Sequence, residues 1–197
     1  MNKLISLVLL VGFVFSASAQ DIKLPTPHKT GGKPLMEALN LRQSNREFSS
    51  RELDKQTLSN LLWAAYGFNR ADKRVVPSAS NKQEIDVYIC LNSGIYFYDA
   101  KANTLVQKGQ GDHRKSMGKQ EFVWNAPVNF ILVGNSDISG SYQIDSGFIS
   151  QNIYLFCASE GLSTVVRGNF DGKEVHEIMK LTDKQVVVIT QTVGYPK

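Results

Sequence analysis

Cysteine is nearly missing from this chain: Cys90 and Cys157 are the only two, and neither lies in a CxxC run or at a Cys/His spacing that holds zinc. A zinc-built or disulfide-dense scaffold is therefore excluded, and no metal site is expected. The two thiols, one in a strand-like and one in a helix-like run, read most simply as core residues. A disulfide between them stays open, because sequence does not give the Cα separation that a bridge requires. A surplus of one charge is also lacking. The formal net charge of +4, from 22 Lys and Arg against 18 Asp and Glu, falls to +3 once Lys3 is set aside. So small and dispersed a surplus gives no argument for nucleic acid, while a small anionic ligand remains compatible with it. Internal repeats and low-complexity tracts are missing too.

Long apolar runs are limited to one. Lys3 precedes Leu4 to Phe15, and Ala17-Ser18-Ala19 follows as small-x-small, the three parts of a secretory signal peptide. The run is shorter than the roughly 18 apolar residues of a spanning helix. Residues 1–19 are thus expected to be a cleaved leader, with an exported, periplasmic product and no stable membrane insertion after cleavage.

From 20 to 33 the chain carries two prolines and a Gly-Gly pair with little apolar periodicity, which predicts an extended arm, mobile in a monomer or wrapped on a neighbour in a dimer. The domain proper is expected over 34–197. Leu35 to Leu41 predicts a short helix. Asp54 opens a better one, with Leu58, Leu61, Leu62 and Ala65 on one face and Gly67 placed to end it. Ile85 to Leu91 and Ile95 to Tyr98, around Asn92-Ser93-Gly94, predict a hairpin extended by a third strand near Leu105-Val106. Val128 to Val133 and Gln185 to Val193 predict buried strands, and Tyr142 to Ser159 a long helix. Asp171 and Glu174 stand at capping-box spacing before a helix through Met179. Hairpins mixed with helices give an α+β fold rather than a doubly wound parallel sheet.

Three stretches offer chemistry. Arg42-Gln43-Ser44-Asn45-Arg46 clusters two guanidinium groups and a hydroxyl, a donor set that suits phosphate, although surface arginines are common. Pro77-Ser78-Ala79-Ser80-Asn81 is a run of small residues that lets backbone groups approach a flat ligand, with Asn81 offering both donor and acceptor; an ordinary loop reads equally well. Gly161 to Asp171, which includes Gly168 and Asn169, reads as a loop between two helices whose N–H groups can meet an aromatic ligand's edge.

Together, in this order and spacing, these stretches resemble the FMN-dependent nitroreductase family. The resemblance rests on Arg42/Ser44/Arg46/Phe48, Pro77-Ser78/Asn81/Gln83, Ala126-Pro127-Val128, Glu160-Gly161-Leu162 and Val193-Gly194-Tyr195-Pro196, and covers nearly all of the chain after the arm. Pro77-Ser78-Ala79, Glu84 to Tyr88 and Gly94 to Asp99 look most like the branch that includes thiazoline and oxazoline dehydrogenases. The resemblance implies a central, mostly antiparallel sheet flanked by helices, in a homodimer whose long interface helix is Tyr142 to Ser159.

It also implies FMN at the subunit interface, touched by both chains. Arg42 and Ser44 would hold the phosphate with Gln43 adjacent. Arg46 and Asn81 would meet the pyrimidine edge of the ring, Pro77 to Ala79 would line it, and the backbone at Gly168 and Asn169 would face N5 and O4. Many family members carry a basic pair beyond the VGY segment, and Lys197 is the candidate for that role. No substrate acid or base maps onto the chain. Tyr142, Asp145, His113, Arg114 and His176 are the polar residues available.

The implied activity is two-electron or hydride transfer through flavin N5 to or from a small organic substrate, with a quinone or NAD(P)H as electron donor. Export favours a quinone, a protein partner or substrate dehydrogenation, since nicotinamide cofactors are cytosolic. Two other readings stay open: a flavin-binding or flavin-remodelling protein without NAD(P)H-driven turnover, and an interaction domain in which Arg42 and Arg46 are surface charges.

Overall fold

The computed structural model describes residues 20–197; the leader read from residues 1–19 lies outside the described residues. Short hairpins set the order of the sheet. β2 (Ile85–Leu91) turns at Asn92-Ser93 into β3 (Gly94–Asp99), and β4 (Thr104–Gln110) continues the meander. On the other side of β2 lie β5 (Val128–Asn135), β7 (Gln185–Gly194) and, at the edge, β6 (Ser163–Arg167). β1 (Ile22–Lys23) closes the opposite edge, giving the order β1-β4-β3-β2-β5-β7-β6 with every pairing antiparallel. The α+β reading and its antiparallel sheet are borne out.

Strand alternation sends side chains into two cores. Val87 and Ile89 of β2 and Phe130 and Leu132 of β5 join the larger core beneath α2 (Lys55–Tyr66) and α4 (Tyr142–Glu160). Tyr88, Cys90, Ile131 and Val133 join the smaller one, covered by α3 (Glu121–Asn125) and α5 (Gly172–Met179). Seven consecutive buried residues in β5 reflect helices on both of its faces. Cys90 lies in one core and Cys157 in the other, so the sheet separates two free thiols and the question of a disulfide is answered.

α2 follows its sequence pattern: Asp54 accepts from the Thr57 amide at 2.9 Å, and Leu58, Leu61, Leu62 and Ala65 are buried. Burying each leucine contributes about 1.5–3 kcal/mol. Gly67 does end the helix, but in an extended rather than left-handed conformation. A Cβ there would collide with the Trp63 ring, so close approach is what calls for glycine. Asp171 caps α5 through the Lys173 and Glu174 amides, as expected.

Two expectations change. Ser163–Arg167 is an edge strand rather than loop: Gly161, at φ 70°, closes α4, and the β-branched run Thr164-Val165-Val166 then pairs with β7. The arm is extended but strapped to its own chain. Ile22 pairs with Leu105, Leu24 is buried, the Pro25 carbonyl accepts from Ser59 and Asn103, and the Lys33 amide donates to Ser159.

Candidate functional site

α4 carries the candidate residues at both of its ends. Near its C-terminal half, Arg42 caps α1 (Leu35–Leu41) and its guanidinium lies 5.2 Å from the centroid of the Tyr154 ring. The Ser44 hydroxyl is 2.8 Å from Tyr154 Oη, which also accepts from the Val166 amide at 3.0 Å. The Asn45 amide donates to the Thr164 carbonyl, and Phe48 bridges to Pro196, so the segment runs along β6 and the chain's last residues. Among the described residues neither Arg42 nor Arg46 has an ion-pair partner. A cavity of about 260 Å³ lies here, bordered by Gln43, Asn45, Tyr154 and Thr164. A second, of about 550 Å³, brings Arg46 and Lys197 together beside Phe48 and Phe122.

At the N-terminal end of α4 sits the loop from Pro77 to Gln83. Ala79–Asn81 forms one 3-10 turn, and Ser80, Asn81 and Gln83 all take left-handed φ values, 51°, 56° and 51°. Such a conformation costs roughly 1–2 kcal/mol for a residue with a Cβ, less for Asn. Hydrogen bonds hold the strained loop: the Ala79 amide donates to Asp145 Oδ2 at 3.1 Å, and the Gln83 amide donates to Ser78 Oγ at 3.0 Å. Asn81 Nδ2 and Gln83 Nε2 both donate to the Asp72 carbonyl, and Arg74 donates to Gln83 Oε1 at 2.9 Å. The exposed edge of the loop is thereby presented in one shape.

Tyr154 and Asp145 stand nine residues apart on α4, about 13 Å along its axis at 1.5 Å per residue. One chain therefore displays the Arg42–Ser44 cluster and the Pro77–Asn81 loop as two separate regions. Gly168 and Asn169 follow β6 at the sheet edge, where the Asn169 carbonyl accepts from the Lys119 amide. Beside them is Arg167, which sequence reasoning passed over. It is 95% buried yet faces no carboxylate, donating to the Met117 carbonyl at 2.9 Å and to Asn129 Oδ1 at 3.2 Å, with Nε unpartnered. Burial pushes its pKa down to about 10. Gly118 is needed there because a Cβ would collide with this guanidinium.

Of the polar residues held open for acid–base roles, Arg114 pairs with Asp112 and donates to the Ala126 carbonyl. His113 Nε2 lies at the Gln110 carbonyl and His176 Nε2 at the Thr182 carbonyl, and Tyr142 packs on Gly134. Asp145 alone touches one of the two regions, at the loop. Tyr154 and Arg167 were missed because each gains its meaning from a partner distant in sequence. Among the described residues no group of His, Cys, Asp or Glu is arranged to hold a metal ion.

An antiparallel sheet wedged under a long helix, with cationic and small-residue loops at that helix's two ends, is an α+β architecture with its candidate binding residues in loops. The chain belongs to the nitroreductase family, whose model matches residues 39–195. The crystal structure of a Ralstonia eutropha protein named for the nitroreductases is 37% identical, superimposes with a TM-score of 0.84, and covers 90% of each chain. A Methanocaldococcus jannaschii protein of the same naming is 29% identical over 175 residues, covering 79% of this chain and 88% of that one. An FMN-dependent nitroreductase of Clostridium difficile shares the fold at 18% identity and a TM-score of 0.62, covering 82% of this chain and 87% of its own.

Proposed function

We propose that this protein is an FMN-dependent oxidoreductase that passes two electrons to or from a small organic substrate. The observation that carries the reading is the Arg42–Ser44–Tyr154 arrangement: a guanidinium with no carboxylate partner among the described residues, beside a hydroxyl already oriented by a buried phenol. That donor set fits a phosphate monoester. Arg46 and Lys197 add cationic charge next to it, and the backbone of Pro77–Ala79 offers a flat, narrow border for an aromatic ring. The flavin would supply the hydride chemistry; this chain's residues bind it, orient it and exclude water.

The Arg42–Ser44 and Pro77–Asn81 regions, as halves of one site, call for a second copy of the chain. Leu35, Met36, Leu39 and Leu41 of α1 and Ile144 and Phe148 of α4 are exposed, and the two helices pack on each other. Large apolar side chains left exposed on two helices are of the kind that marks an association surface. A homodimer on this face would place the Pro77–Asn81 loop of one copy near the Arg42–Ser44 cluster of the other. With the leader of residues 1–19, the protein is proposed to work outside the cytosol, which favours a quinone, a redox protein or the substrate itself as electron source over NAD(P)H.

The test is an absorption spectrum of residues 20–197 purified after incubation with FMN, repeated anaerobically with NADPH, NADH and a reduced quinone analogue. Retained flavin that bleaches with one donor supports the reading and names the donor. Retained flavin that no donor or acceptor changes would make this a flavin-binding or flavin-remodelling protein, and no retained flavin would refute the proposal.

A further inference from the structure

The arm, the end of α2 and the turn between β3 and β4 enclose a cavity of about 580 Å³ that neither the Arg42–Ser44 cluster nor the Pro77–Asn81 loop borders. Its walls are aromatic: Trp63 from the last turns of α2, Phe68 just beyond Gly67, and Tyr98 of β3. Its charges are of one sign, since Lys29, Arg70 and Lys101 border it and no carboxylate does. The neighbouring acids are engaged elsewhere. Asp99 Oδ1 accepts from the Lys101 and Ala102 amides at 3.0 and 2.9 Å, and Asp72 lies 3.6 Å from Lys73. Among the described residues none of the three cations is in an ion pair. In a chain with 22 basic and 18 acidic residues, three cations and no anion around one hollow are a local bias toward an anionic guest.

The hollow is shaped before anything enters it. Along the arm, the Leu24 amide donates to the Asn103 carbonyl at 3.1 Å, Asn103 Nδ2 to the Pro25 carbonyl at 2.7 Å, and Gln56 Nε2 to the Thr26 carbonyl at 3.0 Å. On the other wall Trp63 Nε1 donates to the Phe68 carbonyl at 3.1 Å, and the Arg74 guanidinium stacks on the Phe68 ring at 4.1 Å. The bordering cations are less committed. Lys29 Nζ is 5.7 Å from the centroid of Trp63 and Lys101 Nζ 5.9 Å from that of Phe68, both at the outer limit of a cation–π contact. Arg70 is bonded through Nε, to Asn69 Oδ1 at 3.2 Å, and its terminal nitrogens form the fork that matches a carboxylate.

We propose that this cavity is a binding site for a planar aromatic carboxylate, separate from the proposed flavin site. The ring of the ligand packs against Trp63 and Phe68, whose positions are already fixed. Its carboxylate draws Lys29 and Lys101 from weak contacts with those rings into charge-assisted hydrogen bonds, with Arg70 as the bidentate partner. The lysine stems stay packed along the aromatic walls while their ammonium groups turn to the anion. A neutral aromatic of the same size lacks the charge contacts, and inorganic phosphate lacks the stacking. Because Lys29, Arg70 and Lys101 are exposed, the charge contribution is screened by salt. None of this depends on the flavin reading.

The probe is 2-naphthoate, titrated into the nitrogen-15-labelled protein while the indole N–H resonances are followed by NMR. Trp63 and Trp124 are the two tryptophans, and Trp63→Phe assigns their signals. Trp124, which packs beside the smaller core and donates from Nε1 to the Gly118 carbonyl, is the internal control. The Trp63 resonance should shift saturably, with a dissociation constant of about 0.1–1 mM at low salt that rises several-fold as salt is added, while Trp124 stays in place. The neutral analogue 2-naphthamide should bind the wild type about tenfold more weakly. The double variant Arg70→Glu/Lys101→Glu, at two exposed positions, should weaken naphthoate about tenfold or more and leave naphthamide and the urea midpoint unchanged. The comparison of the two probes on the wild type stands even if that variant does not fold. No saturable shift of Trp63, naphthamide binding as tightly as naphthoate, or full affinity in a folded double variant would overturn the proposal. Repeated with FMN added, the titration should be unchanged; a Trp63 shift abolished by FMN would refute the separateness of the two sites. If FMN does not bind at all, the flavin reading falls and the naphthoate result still decides this one.

Discussion

Removing one oxygen atom, in Tyr154→Phe, separates the two functions of the phenol that joins α4 to the Arg42–Ser44 cluster. The ring is retained, so Arg42 keeps its stacking partner at 5.2 Å, and the variant isolates the hydroxyl. That hydroxyl accepts from the Val166 amide at 3.0 Å and is bonded to Ser44 Oγ at 2.8 Å. Val166 lies on the edge strand β6, so its outward amide has no strand to bond, and Tyr154, 93% buried, is what satisfies it. Leaving a buried donor unsatisfied costs about 1–3 kcal/mol; at a half-buried edge, where water gains some access, about 1–2 kcal/mol is expected. Ser44 is exposed and rebinds water at little cost. With a urea slope of about 2 kcal/mol/M, the unfolding midpoint should fall by about 0.5–1 M with the slope unchanged. Ser44, no longer held in place, should also bind the phosphate less well, weakening FMN binding by about three- to tenfold. An unfolding midpoint equal to the wild type's would refute the assignment of Tyr154 as the partner of the Val166 amide. A lowered midpoint with unaltered FMN affinity would instead detach Ser44 from the phosphate.

Burial holds Glu84 above its unfolded pKa, so its protonated form favours folding at low pH, and that contribution should fade as the pH rises through the folded-state value; urea unfolding at several pH values should show the decline in the wild type and lose it in Glu84→Gln. Asp54→Ala removes the cap of α2 and should lower stability by about 1 kcal/mol, read from the same unfolding curves. Cys90 and Cys157 are buried, with the Cys90 thiol pushed up to about 12 and Cys157 also raised by burial. Both should resist a thiol reagent in the folded protein and react fully in denaturant, and a shift of mobility on reduction would contradict the free pair. Arg42→Ala should weaken FMN retention by about tenfold or more without lowering the unfolding midpoint, measured by fluorescence titration.

What the sequence made legible was periodic. Leu58, Leu61, Leu62 and Ala65 announce α2 because one helical face meets the sheet, and the alternation from Ile85 to Leu91 announces a strand that feeds two cores. β6 escaped because it is five residues long and leaves a helix through Gly161, a position that reads equally as loop. α4 had a readable length but a misleading face. Within it the apolar Ile144 and Phe148 are exposed, while the polar Asp145, Ser146 and Ser150 are buried. A helix that meets its own sheet on one side and leaves apolar side chains exposed on the other has no single hydrophobic stripe to read. The Arg42–Ser44 cluster was legible as a motif. Tyr154 and Arg167 were not, since each is defined by partners ten or more residues away.

The costs that this fold carries are concentrated away from its sheet. β5 and β7 bury their polar side chains largely in pairs: Thr192 donates to Asn129 at 2.6 Å, and Gln191 donates to Thr164. At the N-terminal end of α4 the pattern reverses. Three residues with a Cβ hold left-handed φ values within four positions, and Glu84 follows them with both oxygens buried and unbonded. A glycine at position 80 and an apolar residue at 84 would relieve both costs and leave every strand pairing intact. Local rules broken together, at a loop whose shape is fixed by hydrogen bonds to Asp145, Asp72 and Arg74, are what the proposed flavin reading expects of a surface held for a ligand rather than packed for stability.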